Sequence, residues 1–91
     1  MVKDTNMIAL LYKTLAACQT QDDVAMLLTD LCTYREVEQM AQRVAAAKML
    51  TEGKTYAEII NETEISSATL SRVSKCVRYG NGGYGKFIPK E

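Results

Sequence analysis

Small and basic side chains cluster in a short segment towards the C-terminal end of the chain, where they could bind DNA. They are Ser66, Ser67, Ala68, Ser71, Arg72, Lys75 and Arg78. Hydroxyl groups and basic side chains donate hydrogen bonds to phosphate oxygens. The small residues come first and the basic ones follow, which suits a helix whose N-terminal end enters the major groove. We therefore predict a recognition helix over 66–78, with these seven residues as its DNA contacts.

Capping signals predict the two helices that would present this segment. The run Thr55-Tyr56-Ala57-Glu58 fits the S/T-x-x-E capping box and predicts a helix over 56–62. Ser66 is a suitable N-cap for a second helix over 67–78. The apolar residues spaced to point inwards are Ile59, Ile65, Leu70 and Val73. Two short helices joined by a turn of three or four residues form a helix-turn-helix, which we predict for this part of the chain.

Apolar residues at helical spacing predict three further helices before this pair. We expect them over 5–17, 21–31 and 34–51, with Gly53 ending the third in the left-handed conformation. The run from Tyr79 to Gly85 is too glycine-rich for a helix and predicts a flexible segment. The predicted fold class is therefore an all-α helical bundle.

The expected domain organisation follows from these elements. A chain of 91 residues has room for one small domain, which would gain stability by sharing a core with a second copy. We expect a single helical domain over 1–79, with dimerisation helices over 5–54 and the helix-turn-helix over 55–79. A flexible glycine-rich arm would follow over 80–91.

The charges of the chain balance overall but are unevenly distributed. Eleven basic and eleven acidic residues cancel, which by itself argues against a nucleic-acid partner. From Ile65 onward, however, five basic residues accompany a single acid, Glu91. Such a segment can offer phosphates a local positive face. The simpler interpretation is that these charged residues only form the solvent-exposed faces of helices.

The sequence lacks the residue patterns of other functional classes. It has no histidine, no phosphate-binding loop and no nucleophilic side chain at a fixed spacing from a general base. We therefore expect neither an enzyme nor a cofactor. Cys18, Cys32 and Cys76 are widely spaced, and we expect small buried apolar residues rather than metal ligands. No stretch is apolar enough to span a membrane, and we expect a cytoplasmic protein without membrane contact.

Four short runs of residues resemble one protein family. They are Asp30-Leu31-Cys32-Thr33, Ala41-Gln42-Arg43, Ala68-Thr69-Leu70-Ser71-Arg72-Val73 and Tyr79-Gly80-Asn81. Together they make the chain similar to the YerC/YecD family of Trp-repressor-related proteins, over about Val24 to Tyr84. The resemblance implies an intertwined all-helical homodimer whose N-terminal helices share one core. Two-fold symmetry would place the two recognition helices about 34 Å apart on a pseudo-palindromic duplex DNA site.

The resemblance also implies a possible effector pocket. Residues of the Trp repressor that hold tryptophan match Thr33, Arg43, Thr69 and Arg72 in this chain. The glycine that leaves room for the indole ring is replaced by Val73, and a serine that helps hold the ligand's amino group by Cys76, a weaker hydrogen-bonding partner. Overpacking of this kind costs about 1–3 kcal/mol in protein cores. We therefore expect no response to tryptophan, and the identity of any small-molecule effector stays open.

Two functions remain as alternatives. The first is a sequence-specific, repressor-like transcription regulator that binds DNA as a dimer. The second is a helix-turn-helix that binds another protein of the transcription machinery, because Glu58, Glu62 and Glu64 would repel the DNA backbone. Glu64 also lies where the turn often has glycine, and a left-handed residue of another type costs roughly 1 kcal/mol there.

Overall fold

Six helices follow one another along residues 4–90, the part of the chain that this computed structural model describes. They are α1 Asp4–Ala16, α2 Gln21–Leu31, α3 Tyr34–Thr51, α4 Tyr56–Thr63, α5 Ser67–Tyr79 and α6 Gly83–Phe87. The all-α prediction is confirmed, since no strand occurs over these residues. The predicted bounds of α2 and α3 agree with the structure. Helix α1 begins and ends one residue earlier than predicted, and α4 and α5 each end one residue later.

Four of these helices begin at a threonine or serine whose side chain accepts a hydrogen bond from a backbone N–H in the first turn. The caps are Thr20, Thr33, Thr55 and Ser66. At Thr33 and Thr55 a glutamate three residues later completes the capping box by accepting the N–H of the threonine. Each such pair satisfies backbone donors that a helix end otherwise leaves open.

Hydrogen bonds from backbone N–H groups at the start of α2, α3 and α4 favour the ionised form of three exposed carboxyl groups. The N–H of Gln19 donates to Asp23, that of Thr33 to Glu36 and that of Thr55 to Glu58, each over 2.8–3.0 Å. These backbone donors are the largest cause that lowers the pKa of each carboxyl group below its ordinary value. The caps are therefore stronger when these carboxylates are charged.

Residues after Thr51 turn the chain sharply from α3 into α4. Gly53 has φ +84°, and the N–H of Lys54 donates to the carbonyl of Met49 over 3.1 Å. This hydrogen bond returns to an open carbonyl at the end of α3, as in other glycine-terminated helices. The predicted left-handed role of Gly53 is confirmed.

The chain divides into two compact units, one ending at Val37 and the other beginning at Glu38. The second unit contains most of α3 together with α4, α5 and α6. Its core is formed by Ala46, Ala47, Met49, Ile59, Ile65, Leu70 and Val73. The four positions predicted to point inwards in the helix-turn-helix are all in this core, so that prediction is confirmed. The packing places the C-terminal half of α3 with the helix-turn-helix, whereas the sequence-based division ran at 54/55.

The first unit has no buried side chain in α1 or α2. Their exposed large apolar residues are Met7, Ile8, Leu10, Leu11, Tyr12, Leu15, Val24, Met26 and Leu31. On α3, Ala47 is buried, while Met40 and Val44 stay exposed. Burial of Ala46 and Met49 shows that α3 packs against α4 and α5 through a neighbouring face. Many large apolar side chains among residues 4–90 are therefore left exposed by the single chain.

Two predictions are wrong, one about the C-terminal segment and one about the cysteines. The glycine-rich run was predicted to be too flexible for a helix, but α6 forms over Gly83–Phe87. Tyr84 in α6 and Ile88 directly after it pack against the core of the second unit. This packing stabilises a helix that its glycines disfavour. The cysteines were predicted to be buried, but Cys18 and Cys32 are partly exposed and Cys76 is exposed. Cys76 lies on the side of α5 that faces α6 rather than the core.

Candidate nucleic-acid interface

Helices α4 and α5 form a helix-turn-helix joined by the three residues Glu64, Ile65 and Ser66. Glu64 has φ 61° and ψ 16°, the left-handed conformation, and its N–H donates to the carbonyl of Ile60 over 2.9 Å. It is the one residue other than glycine with a positive φ between residues 4 and 90. The turn therefore has the left-handed residue expected of this motif, occupied here by glutamate.

Thr63 connects the end of α4 to its surroundings. Its hydroxyl donates to the carbonyl of Ile59 over 2.7 Å and accepts from the N–H of Ile65 over 3.2 Å. Its carbonyl accepts a hydrogen bond from Nε2 of Gln42 on α3 over 3.1 Å. These partly buried bonds hold the turn against α3. The roles of Thr63 and Gln42 were not predicted from the sequence, because the pairing of residues 21 positions apart has no local signal.

The seven residues predicted to contact DNA are all exposed, and six of them lie on α5. Ser66, the N-cap, differs from the others in its hydrogen bonds. Its hydroxyl accepts from the N–H of Thr69 over 3.1 Å and lies 2.9 Å from the Thr69 hydroxyl, to which it donates. The Ser66 hydroxyl is thus engaged in holding the first turn of α5. Ser67 is the exposed serine that follows it at the same helix end.

The surface charge changes sign along the second unit. Over residues 65–90 the charged side chains are Arg72, Lys75, Arg78, Lys86 and Lys90, all basic and exposed. On and after α4, Glu58, Glu62 and Glu64 are exposed acids. Since the Glu58 carboxylate accepts the N–H of Thr55, part of this acidic set serves the capping box. The outer face of α5 is therefore the positive part of the helix-turn-helix.

Three of the four residues matched to the effector pocket line one cleft of about 230 Å³ in the second unit. These are Arg43 from α3 and Thr69 and Arg72 from α5. Val73, Cys76 and Tyr84 complete the lining. Thr33 belongs to the first unit. Tyr84 is a lining residue that sequence analysis missed, because its segment was predicted to be a flexible arm.

The described part of the chain has neither a cluster of metal-ligating side chains nor a membrane-spanning helix. No three histidine, cysteine, aspartate or glutamate side chains among residues 4–90 are grouped so that they could hold a metal ion. Over the same residues, no helix is long and apolar enough to cross a membrane.

Comparison with known proteins agrees with this architecture. A family model described as "Trp repressor protein" matches residues 6–91. YerC of Bacillus subtilis (strain 168), itself uncharacterized, is 40% identical over 74 residues, which cover 81% of this chain and 71% of YerC. The crystal structure of a candidate Trp repressor from Staphylococcus aureus matches with a TM-score of 0.86 and 30% identity, over 93% of this chain and 90% of that one. The resemblance found in the sequence is confirmed, and the chain belongs to the Trp repressor family.

Proposed function

We propose that the protein is a sequence-specific DNA-binding transcription regulator that acts as a homodimer and reads DNA with α5. The observation that carries this proposal is the exposed outer face of α5, which holds the small residues Ser67 and Ala68 near its N-terminal end and Arg72, Lys75 and Arg78 further along. The buried face of the same helix is fixed to α3 and α4 by Leu70 and Val73. A rigid helix with one such face exposed is suited to the major groove.

The unburied apolar residues of α1 and α2 support the dimer. Soluble monomers rarely expose contiguous apolar patches of more than a few hundred Å², and here neither helix buries any side chain. A second copy would cover these residues in a shared core, as the family resemblance implies. Two recognition helices related by two-fold symmetry would then read the two halves of a pseudo-palindromic site.

Salt-dependent binding tests the DNA proposal. Fluorescence anisotropy with duplexes selected from a random-sequence pool should show an affinity that falls steeply with salt, because phosphate contacts release counterions. Arg72→Ala should weaken binding about tenfold to a hundredfold, the range for loss of a good contact. Arg35→Ala, which removes the same charge from an exposed site on α3 outside the helix-turn-helix, is the matched control. Equal affinities of the two variants, or no binding at low salt, would refute the proposal.

We further propose that DNA binding does not require tryptophan. The cleft of about 230 Å³ is smaller than the ~300–1,000 Å³ of most small-molecule sites. Val73 and Tyr84 both line it, and Val73 is only 3% exposed because it is part of the core. Adding L-tryptophan to the anisotropy measurement should leave the DNA affinity unchanged, and isothermal titration calorimetry should detect no heat of binding.

Binding to another protein is the second candidate function, and the exposed acids on and after α4 are the observation that favours it. Glu62 and Glu64 are exposed, whereas the carboxylate of Glu58 is engaged with Thr55. Glu62→Gln with Glu64→Gln should therefore strengthen DNA binding if α5 reads DNA, because two repelling charges are removed. If instead the acids contact a protein partner, the same substitutions would abolish its stoichiometric capture without affecting DNA.

A further inference from the structure

The short helix α6 borders the cleft beside the recognition helix, and its composition does not favour a helix. Two of its five residues, Gly83 and Gly85, are glycine, the poorest helix former after proline. Isolated helices of this length are unstable in water. Its formation therefore depends on contacts with the rest of the second unit.

Those contacts depend mainly on two side chains. Tyr84 and Ile88 are partly buried and pack against the core of the second unit, whereas Gly83, Gly85, Lys86 and Phe87 are exposed. Two larger clefts lie along the same segment. One of about 410 Å³ is bordered by Lys48, Thr51, Tyr84 and Ile88 among others, and one of about 400 Å³ by Cys76, Gly80 and Tyr84 among others. Segment 83–88, which we call the strap, is thus attached to the core at Tyr84 and Ile88, and the two clefts lie beside it.

Tyr84 lines the same cleft as Arg43, Thr69 and Arg72, and it contributes an aromatic residue to the wall of that cleft. This cleft lies on the flank of α5, because Thr69, Arg72, Val73 and Cys76 all belong to that helix. Since α6 also packs directly against α5, Tyr84 lies beside the helix that carries the proposed DNA face.

The connection between α5 and the strap turns at Gly80. A Cβ atom at this position would collide with the carbonyl oxygen of Cys76. The same carbonyl accepts the N–H of Gly80 over 2.9 Å. The chain can therefore leave α5 and turn back along it only because residue 80 has no side chain.

We propose that the strap is a conformational device: Tyr84 forms one wall of the Arg43–Arg72 cleft, packs against the core and holds α5 in its DNA-binding position, and detachment of the strap loosens α5. This inference rests on the proposed DNA-binding function for its consequence, but the conformational part applies to the free protein. It assigns to Tyr84 the role of a structural wall of the cleft, so α5 is held by the chain's own packing and needs no small molecule.

Hydrogen exchange of the free protein, measured by mass spectrometry, tests the conformational part. Tyr84→Ala should raise exchange of the amides in 67–79 about tenfold through local opening, and leave 5–31 unchanged. Tyr84→Phe keeps the aromatic ring and is the matched control, with exchange as in the wild type. Ile88→Ala loosens the strap at its second point, outside the cleft, and should give a smaller rise in the same peptide. Unchanged exchange of α5 in Tyr84→Ala would overturn the proposal.

Far-UV circular dichroism and DNA binding complete the test. If Tyr84→Ala and Ile88→Ala both lose most of their helix content, α6 is an integral part of the fold and the strap proposal is wrong. If exchange behaves as expected, Tyr84→Ala should also bind DNA about fivefold or more weakly than Tyr84→Phe, and equal affinities would overturn the link to DNA. If α5 opens as expected but the wild type binds no DNA, the proposed function fails while the conformational part stands.

Discussion

Glu64 shows how one residue can oppose the local preference of its backbone. In the turn of the helix-turn-helix it adopts φ 61°, although a side chain in the left-handed region is unfavourable. Two contacts hold it there: the next residue, Ile65, is buried, and the N–H of Glu64 donates a hydrogen bond to the carbonyl of Ile60. The strain is local and is compensated by burial of Ile65 and by the hydrogen bonds of Thr63.

Comparing two substitutions at this position measures that strain. Glu64→Gly and Glu64→Ala both remove the carboxylate, so their difference reports the backbone. We expect the glycine variant to be more stable than the alanine variant by about 1 kcal/mol, because only glycine adopts positive φ without a steric penalty. Urea unfolding followed by circular dichroism gives the two free energies of unfolding. An alanine variant as stable as the glycine variant would show that the turn relaxes out of the left-handed region.

Arg72 is the residue where two possible roles meet. It is exposed on the outer side of α5, and it also lines the cleft with Arg43 and Tyr84. Val73, the next residue, faces the core instead. This alternation follows from helix geometry, in which successive side chains point about 100° apart. It separates the residue proposed to contact DNA from the one that limits the cleft.

At the scale of elements, helices α2 to α5 each begin at a side-chain cap, and three of these caps include a carboxylate. The pKa of Glu58 in the folded protein is lowered by the Thr55 N–H, and the unfolded chain lacks this bond. A lowered pKa in the folded state stabilises the protein above the ordinary value of 4.5, and this stabilisation is lost as the pH falls through the folded pKa. The same sign holds for Asp23 and Glu36.

Acidification of a capping variant tests this account. Glu58→Gln can still accept the N–H of Thr55 but does not titrate. We expect its melting temperature to lie below that of the wild type at about pH 7, and the difference to shrink towards zero at about pH 3. Glu38→Gln, at an exposed position of α3 outside any capping box, serves as the control. A difference that stays constant over this pH range would contradict the charged cap.

Helix α3 connects the scales of element and molecule, because its apolar residues form two faces. Ala46, Ala47 and Met49 pack in the core with α4 and α5, whereas Met40 and Val44 remain exposed. A helix with one apolar stripe can bury it against a single packing surface, whereas a helix with two apolar faces needs two such surfaces. The second face of α3 and the unburied residues of α1 and α2 call for a further partner, for which we propose the second copy of the chain.

At the scale of the whole molecule, that partner determines the oligomeric state. Sedimentation velocity should find the wild type as a dimer, and Leu11→Glu should shift it towards the monomer, because a charge on the apolar face of α1 cannot be buried without great cost. Lys13→Glu changes an exposed charged position of the same helix and should leave the dimer intact. A monomeric wild type would exclude the shared core and, with it, the paired recognition helices.

The sequence alone predicted the helices whose signals are local. Threonine and serine caps, the glycine at residue 53 and the spacing of Ile59, Ile65, Leu70 and Val73 act within a few residues of the chain, so they could be interpreted without knowledge of the fold. The exposed face of α5 followed from the same periodicity. For this reason the predicted helix-turn-helix and its core agree with the structure, as does the family resemblance.

Only the tertiary structure decided which apolar faces find partners. Three features depend on residues far away in sequence: the formation of α6 in a glycine-rich run, the position of Tyr84 at the wall of the cleft, and the hydrogen bond from Gln42 to Thr63. The same is true of the exposure of Cys76, which looked like a buried residue by type. Local propensity sets what a segment can form, but burial against distant residues provides the free energy that selects it. The recognition helix was therefore readable from the sequence, whereas the strap beside it was not.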